Sequence, residues 1–311
     1  MSAARALPRL LRGIEGGATL TLAQHVRVHG VLETSGRDAG ARLLGAIEDS
    51  GLRGRGGAHV STAMKLRAVA GRRRRAVVVA NGSESEPASR KDAVLLTHTP
   101  HLVIDGAMVA ATAVGADEVV LYVKRSDPRV WTATLRAVEE RRAAGDRGPA
   151  LRIVAAPSTY VSGQETAAIA HINGKPALPT TVPPRPSERG VDHRPTLVSN
   201  VETLAHMALI ARHGADWFRT VGSPTQPGSL LVTLGGAVAR PGVYEIAFGS
   251  AMADLLRAAG GVTERPQAVL VGGYGGAWLA RHMEDLVLSE GDPLLAAGST
   301  GAGVTAMFTV A

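Results

Sequence analysis

The chain has 311 residues, 45% of them hydrophobic and 20% charged, and this size and composition suit a globular protein of about two domains. Its net charge is +7, but the basic residues are spread along the chain and only 3% of residues are aromatic, so we predict no nucleic-acid binding. There is no cysteine, which excludes disulfides, thiolate nucleophiles and zinc or iron–sulfur clusters held by cysteine.

The chain opens with a predicted polar lead-in over residues 1–35, and its first residues lack the apolar core of a signal peptide. The longest apolar stretch, at 106–116, is too short to span a bilayer. We therefore expect a cytoplasmic protein that does not insert into a membrane.

Helices and strands are predicted to alternate in the next part of the chain. The continuous β-branched run at 76–80 is typical of a strand buried on both faces. Helical patterns separate it from two further apolar runs, so we predict a parallel sheet covered by helices. The predicted strands are 76–80, 119–123 and 151–155, and the predicted helices are 43–52, 62–66, 101–116 and 128–144.

The later part of the chain changes character at 173–196, where six prolines predict an extended loop. A helix is predicted at 201–212, with Asn200 or Ser199 as its N-cap, and residues 223–228 are the best linker candidate. The pattern after the linker predicts a small α+β domain. Its strands are predicted at 230–234, 243–246 and 268–271, with a helix at 251–258.

A glycine-rich loop at 51–58 is the first candidate for chemistry. Glycines let the backbone approach a phosphate, and the N-terminus of the following helix offers free N–H groups and a positive dipole. The loop matches neither the P-loop pattern nor the Rossmann fingerprint. Taken alone, it is equally compatible with a tight turn that carries solvated arginines.

Three more polar stretches are candidates for a site. Residues 81–87 follow a predicted buried strand, at the sheet edge where open α/β sheets bind ligands. Asn and Ser there can hydrogen-bond a heterocycle and Glu can bind ribose hydroxyls, although a solvated acidic loop is the alternative. The stretches 160–166 and 198–204 would each, alone, be helix caps.

Together, the four stretches resemble the flavin-binding subunit of NADH:quinone oxidoreductase and its relatives in NAD-dependent formate dehydrogenases and hydrogenases. The resemblance runs from about residue 40 to about residue 280. The family loop G-L-R-G-R-G-G-A-G-F-P-T-G-x-K is intact from Gly51 to Ala58 and again at Thr62 and Lys65. The family motifs N-A-D-E-x-E-P, Y-x-x-G-E-E-T and N-N-V-E-T-L appear at 81–87, 160–166 and 199–204.

The resemblance implies a Rossmann-like parallel-sheet domain that binds FMN and NADH, followed by the family's soluble-ligand-binding β-grasp domain. We place the first domain at 36–222, the second at 228–300 and a C-terminal tail at 301–311. Hydride would pass from NADH to FMN, and that step needs no side-chain acid or base, so we assign no catalytic residue and no metal site.

The family motifs also imply which residues hold each part of the ligands. The FMN phosphate would lie on Gly54, Arg55, Gly56, Gly57 and Lys65. The isoalloxazine and ribityl groups would contact Asn81, Glu84, Ser85, Gly163, Asn200 and Thr203. The nicotinamide nucleotide would lie against Glu86, Tyr160 and Glu165.

Four of the departures from the family pattern would change the predicted site. The aromatic of G-F-P-T is missing at Val60, which removes a stacking face worth ~1 kcal/mol or more. The aromatic of the K-P-P-F-P loop is Arg185, which could stack on adenine or pair with a phosphate. Two acidic residues are replaced by Ser83 and Gln164, which makes the predicted site less negative.

The largest departure concerns electron transfer, because the family continues into a helical bundle whose cysteines hold a [4Fe–4S] cluster. With no cysteine, we predict no iron–sulfur cluster in this chain, and an external acceptor such as a ferredoxin or another redox protein must take the electrons. The acidity of ferredoxins would suit the charge of +7. The alternatives are a non-catalytic, degenerate member that acts as a binding or assembly module, and a remnant whose gene continues in another frame.

Overall fold

A computed structural model of the chain describes residues 7–14, 17–57, 59–72, 74–146, 148–264, 266, 268–280 and 287–288. The predicted tail at 301–311 lies outside the described residues. The helices are α1 (Leu22–His29), α2 (Ala39–Ser50), α3 (Thr62–Val69), α4 (Lys91–His98), α5 (Pro100–Val114), α6 (Pro128–Ala143), α7 (Glu165–Ile172), α8 (Val201–His213), α9 (Ala215–Phe218) and α10 (Met252–Ala258). The strands are β1 (Ala76–Gly82), β2 (Ala116–Lys124), β3 (Ala150–Ala156), β4 (Thr196–Asn200), β5 (Ser229–Leu234), β6 (Gly242–Ala247), β7 (Ser250–Ala251), β8 (Ala268–Val271), β9 (Ala277–Ala280) and β10 (Val287–Leu288).

The first four strands form one parallel sheet in the order β3-β2-β1-β4, which confirms the predicted α/β class. In β1, Val77, Val78 and Val79 are fully buried, as expected for a strand with helices on both faces. The chain moves outward from β1 through β2 to β3 and then returns to the other side of β1 as β4. The strand order therefore reverses at β1, and ligands of open α/β sheets bind at such a switch point.

The helices α5 and α8 pack together at the centre of the main core. Gly106 of α5 lies so close to α8 that an added Cβ would overlap the carbonyl of Leu204. Among the described residues, no single helix is long and apolar enough to cross a membrane, and α4 and α5 pass that test only together, across a 98° bend.

The predicted polar lead-in contains a helix, α1, which begins at a capping box between Thr21 and Gln24. Its buried residues are His25 and His29, so the segment lacks the aliphatic spacing that predicts a helix. The Nε2 atom of His25 lies 2.7 Å from the Asp105 carboxylate in α5, and this contact fixes α1 on the first domain.

The last part of the chain forms a separate α+β unit, as predicted. β5 pairs with β6, β8 with β9 and β7 with β10, all antiparallel, and α10 packs on the strands. Hydrogen bonds attach the unit to the first domain: the Leu231 N–H donates to the Glu202 carboxylate, and the Arg90 N–H donates to the Thr233 hydroxyl, each at 2.9 Å. The lead-in also contacts this unit, because the Arg9 and Leu10 N–H groups donate to the Glu245 carboxylate at 2.7 and 2.8 Å.

Candidate functional site

The candidate site is a crevice at the carboxyl ends of β1 and β4, where the strand order reverses. Asn81 and Asn200 face each other in register at these strand ends. The Asn81 side-chain amide donates to the Gly163 carbonyl at 2.7 Å, and a Cβ added to Gly56 would lie 3.2 Å from the Asn200 Cβ. Four segments that are far apart in sequence therefore meet at one edge of the sheet.

The glycine-rich loop forms one wall of the crevice and leads directly into α3. The Gly54 N–H donates to the Val60 carbonyl at 2.9 Å, and Gly57 has a φ of 109°, which favours glycine. Ser61 caps α3. The Thr62 hydroxyl, in the first turn of α3, is buried without a hydrogen-bond partner in the described part of the chain, and it is a site candidate that the sequence motif contained but did not single out.

The Arg55 side chain lies away from the crevice. It is 2% exposed, and its guanidinium lies 4.5 Å from the ring centre of Phe248 in the second domain. The Arg55 N–H donates to the Thr203 hydroxyl at 2.8 Å, so this pair joins the glycine loop to α8. His59 is also buried beside Phe248, and Arg185 lies on an exposed loop.

Lys65 brings a cation to the crevice wall. Its Nζ forms an ion pair with Glu165, the first residue of α7, and donates to the Val198 carbonyl of β4 at 2.8 Å. Gln164, where the family has an acid, is the N-cap of α7 and accepts from the Ala167 N–H at 2.9 Å. Gln164 therefore still caps the N-terminus of α7, although it lacks the negative charge of the acid in the family motif.

The loop after β1 packs tightly against the short helical turn Tyr160–Gly163. The Gly163 N–H donates to the Ser85 hydroxyl at 3.1 Å, and a Cβ on Gly163 would lie 2.6 Å from that oxygen. The hydroxyls of Ser83 and Ser162 are 2.8 Å apart, and both side chains are buried. Ser83 thus joins the two loops through a neutral hydrogen bond. The Asp of the family motif would place a buried charge at this position.

The Glu84 carboxylate binds the N-terminus of α4. It accepts hydrogen bonds from the N–H groups of Asp92 and Ala93, each at 3.0 Å, and from the Ser89 hydroxyl at 2.6 Å. Burial, and next the nearby Asp92 charge, raise the pKa of Glu84. In this structure the Glu84 carboxylate caps the N-terminus of α4. Its contact with the flavin stays a prediction.

A buried ionic cluster lies beneath the crevice, and sequence reasoning missed its central residue, Lys91. The Nζ of Lys91 is 2.7 Å from Asp92 and 2.9 Å from Glu202, and the Asn200 amide donates to Asp92 at 2.6 Å. Burial alone would lower the pKa of Lys91, but the two carboxylates outweigh burial and raise it. The available signal was a Lys-Asp pair at the start of an otherwise apolar run.

Glu86 and Tyr160 lie at the side of the crevice that faces the second domain. The Glu86 carboxylate accepts from the Tyr274 N–H at 2.9 Å, and the rings of Tyr160 and Tyr274 are 5.6 Å apart. A cavity of about 870 Å³ opens beside this edge, between the loop after β1, α4 and the start of α6. Its polar lining includes Glu84, Glu86, Arg90, Lys124 and Arg129.

Comparison with known proteins shows which protein family the region around this crevice belongs to. The model of the Nuo51 FMN-binding domain matches residues 47–209, more than half of the chain. The chain belongs to the Nuo51 FMN-binding family. A second match, to the SLBB domain, covers residues 231–276 of this Nuo51-family chain. Both matches confirm the predicted resemblance.

Individual proteins with similar sequences support the assignment to the Nuo51 family. An NADH-quinone oxidoreductase subunit of Mycobacterium tuberculosis (strain ATCC 25618 / H37Rv) is 37% identical over 234 residues, which cover 71% of this chain and 53% of the relative. The NAD-reducing hydrogenase HoxS subunit alpha of Cupriavidus necator is 35% identical over 246 residues, which cover 76% of this chain and 40% of the relative. The chain thus spans about half the length, or less, of these relatives.

A solved structure supports the same fold. The crystal structure of NAD+-reducing [NiFe]-hydrogenase in the air-oxidized state matches 98% of this chain and 51% of that chain, with a TM-score of 0.80 and 33% identity. The described part of the chain therefore shares its fold with a part of that hydrogenase chain.

Proposed function

We propose that this chain binds FMN in the crevice between β1 and β4, receives hydride from NADH and passes electrons to a separate acceptor. The observation that carries the proposal is the meeting of the glycine loop with Asn81, Gly163 and Asn200 at the switch point of the sheet.

The residues present fit a flavin mononucleotide. At Gly56 and Gly163 the backbone comes close to a neighbouring segment, and a Cβ there would press on Asn200 and on Ser85, respectively. The glycine loop and the first turn of α3, with the buried Thr62 hydroxyl, suit a phosphate, because N–H groups and a helix N-terminus bind anions.

Each side chain then has a role in holding the ligands. When bound, FMN supplies the hydride-accepting ring. Lys65 adds positive charge to the phosphate end of the crevice, and the Asn81 and Asn200 amides can hydrogen-bond the polar edge of the ring. Glu165, held by Lys65, and Glu86 border the space left for the nicotinamide nucleotide.

The acceptor is proposed to be an acidic redox protein such as a ferredoxin. The chain has no cysteine with which to hold a cluster, so electrons leave the flavin toward another molecule. A net charge of +7 favours encounter with an acidic carrier.

A binding module without hydride transfer is the second candidate. The observation in its favour is that Tyr274 already contacts the Glu86 carboxylate and lies beside Tyr160. In that case the crevice would hold FMN that NADH and NADPH never reduce.

The direct test is to purify the chain, reconstitute it with FMN and titrate it with NADH without oxygen. We expect a flavin spectrum that bleaches as NADH is added. Bound flavin that neither NADH nor NADPH bleaches would favour the binding module, and failure to bind FMN would refute both candidates.

A variant tests the crevice itself. Gly163→Ala should weaken FMN binding by about fivefold or more, because the new methyl group would press on the Ser85 hydroxyl. Gly45→Ala in α2 is the matched control, because nothing lies within 4 Å of its added Cβ. Equal FMN dissociation constants in the two variants, measured by flavin fluorescence, would contradict this placement.

A further inference from the structure

The second domain contacts the glycine-rich loop from the side away from the crevice. Phe248, which follows β6, is buried in the hydrophobic core of this domain. The Arg55 guanidinium lies 4.5 Å from the centre of the Phe248 ring, and the His59 ring meets the same ring edge-to-face, with 6.4 Å between ring centres. One aromatic ring therefore contacts both ends of the segment that contains Gly56 and Gly57.

The charge of Arg55 is held in the protein interior. A buried guanidinium stays charged, so it needs nearby groups that stabilise a cation. The face of the Phe248 ring is such a group, and the Arg53 carbonyl, which accepts from Arg55 at 3.2 Å, is another. Burial raises the pKa of Glu202, and the positive charges of Lys91 and then Arg55 oppose that effect, so a carboxylate also lies near the guanidinium.

Arg55 is the one residue within 54–57 that has a side chain by which the loop can be held. The three glycines around it give a free loop many conformations. The Arg55 N–H donates to the Thr203 hydroxyl of α8 at 2.8 Å and so fixes the loop on the first domain. The Arg55 side chain fixes it on the second domain, at the segment proposed to receive the FMN phosphate.

His59 depends on the same ring at the other end of the segment. Its φ is 46°, a left-handed value that favours glycine, and the family motif has glycine at this position. A non-glycine residue keeps such a conformation only where its surroundings hold it there. His59 is buried beside Phe248, so packing on this ring helps to offset the cost of its backbone conformation.

Resting on the proposed function, we propose that Phe248 of the second domain is a positioning residue for FMN, which acts mainly by holding Arg55. A loop that is already ordered loses less conformational entropy when a ligand binds. Phe248 therefore raises the affinity for FMN through the glycine-rich loop. Because coupling between two binding events is reciprocal, bound FMN in turn strengthens the contact between the two domains.

The binding test compares Phe248→Leu with Leu255→Ala in the full chain. Both substitutions remove apolar volume from the same hydrophobic core, but only Phe248→Leu removes the ring beside Arg55. We expect Phe248→Leu to raise the FMN dissociation constant about three- to tenfold, and Leu255→Ala to change it by less than about twofold. Flavin fluorescence measures both constants at a temperature where thermal unfolding shows that the variants are folded.

Two results would overturn the proposal. One is equal FMN affinity of Phe248→Leu and the wild type, and the other is an equal loss of affinity in Phe248→Leu and Leu255→Ala. If Phe248→Leu does not fold, Phe248→Met takes its place with the same expectation, because a flexible Met side chain fills irregular space in a core.

A double-mutant cycle tests whether the effect passes through Arg55. Arg55→Met replaces the buried cation with an apolar side chain, so there is no longer a charge for the Phe248 ring to stabilise. In the Arg55→Met background, Phe248→Leu should change the FMN dissociation constant by less than about twofold. A full three- to tenfold effect in that background would overturn the assigned role of Arg55.

Hydrogen exchange of the protein without FMN gives a readout that needs no ligand. The amides of residues 54–57 should exchange about three- to tenfold faster in Phe248→Leu than in the wild type, whereas the amides of β1 should not change. If NADH does not reduce the bound flavin, hydride transfer fails and FMN affinity still decides the role of Phe248. If reduction is normal and Phe248→Leu changes neither FMN affinity nor exchange, only the role of Phe248 fails.

Discussion

Lys91 balances two carboxylates in the interior of the protein. All three side chains are almost completely buried, and Lys91 lies 2.7 Å from Asp92 and 2.9 Å from Glu202. Asn200, at the crevice, hydrogen-bonds both Lys91 and Asp92. The cluster therefore positions a predicted flavin contact as well as stabilising the core.

Lys91→Met should lower the free energy of unfolding by about 3–5 kcal/mol, because it removes the cation that directly contacts two buried carboxylates. The control is Lys175→Met, at an exposed lysine, which should change the free energy by less than about 0.5 kcal/mol. Urea unfolding at neutral pH measures both. Equal stability of the two variants would show that Lys91 does not compensate the carboxylates.

Two buried histidines make stability depend on pH. Burial, and next the electrostatic effect of neighbouring His25, lower the pKa of His29 to about 3. Burial, and next Arg141, lower the pKa of His101 to about 4. Asp105 faces this cluster and acts in the opposite direction on His29, but less strongly than burial does. Both histidines are therefore neutral in the folded protein at pH 7.

We expect the free energy of unfolding to fall as pH drops below about 6.5, since the unfolded chain then binds protons that the folded histidines do not bind until about pH 4 and about pH 3. His29→Gln should reduce this slope by about 1 kcal/mol per pH unit. His193→Asn, at an exposed histidine, should leave the slope unchanged. Urea unfolding between pH 7.5 and pH 4.5 measures how the free energy of unfolding changes with pH. If this slope is the same for His29→Gln and the wild type, the expectation is contradicted.

The crevice could be predicted from sequence in part. Asn81, Gly163 and Asn200 lie in motifs, and the structure brings them to one edge, although their contacts with FMN stay predictions. The orientation of Arg55 and the position of Tyr274 could not be predicted, because both depend on how the second domain packs on the first. Such packing leaves no local pattern in the chain.

At the level of elements, α5 and α8 depend on one glycine. Gly106→Ala should lower the free energy of unfolding by about 1–3 kcal/mol or more, because the new Cβ would overlap the Leu204 carbonyl. In Gly45→Ala the added methyl group meets no atom, so that variant should be neutral or more stable by about 0.5–1 kcal/mol. Thermal or urea unfolding compares the two. A Gly106→Ala protein as stable as Gly45→Ala would mean that the helices can move apart freely.

Three strands of the sheet were predictable because β1, β2 and β3 are apolar runs of strand length between helical patterns, whereas β4 lies where we predicted a loop and a helix cap. α1 was not, since histidines fill its buried positions. α4 was not either, because its N-terminus is capped by Glu84 from the preceding loop and not by a residue at its own start. A cap supplied from outside the helix does not follow the local rules for helix starts.

At the scale of the whole molecule, charge should control the encounter with the proposed acceptor. Reduction of an acidic ferredoxin by the NADH-loaded protein should slow several-fold between about 0.02 M and about 0.3 M salt, because screening weakens the attraction of a +7 protein. An uncharged quinone is the control acceptor, and its reduction should be insensitive to salt. Stopped-flow rates measure both, and equal salt dependence would rule out electrostatic steering.

The contact of Glu245 with the lead-in also has a consequence for the order in which the protein is made. The N–H groups of Arg9 and Leu10 leave the ribosome more than two hundred residues before the carboxylate that they bind. This junction between the lead-in and the SLBB unit therefore cannot close while the first domain is emerging. The junction closes only after the strand that carries Glu245 has been made, and it ties an early-synthesised segment to a much later one.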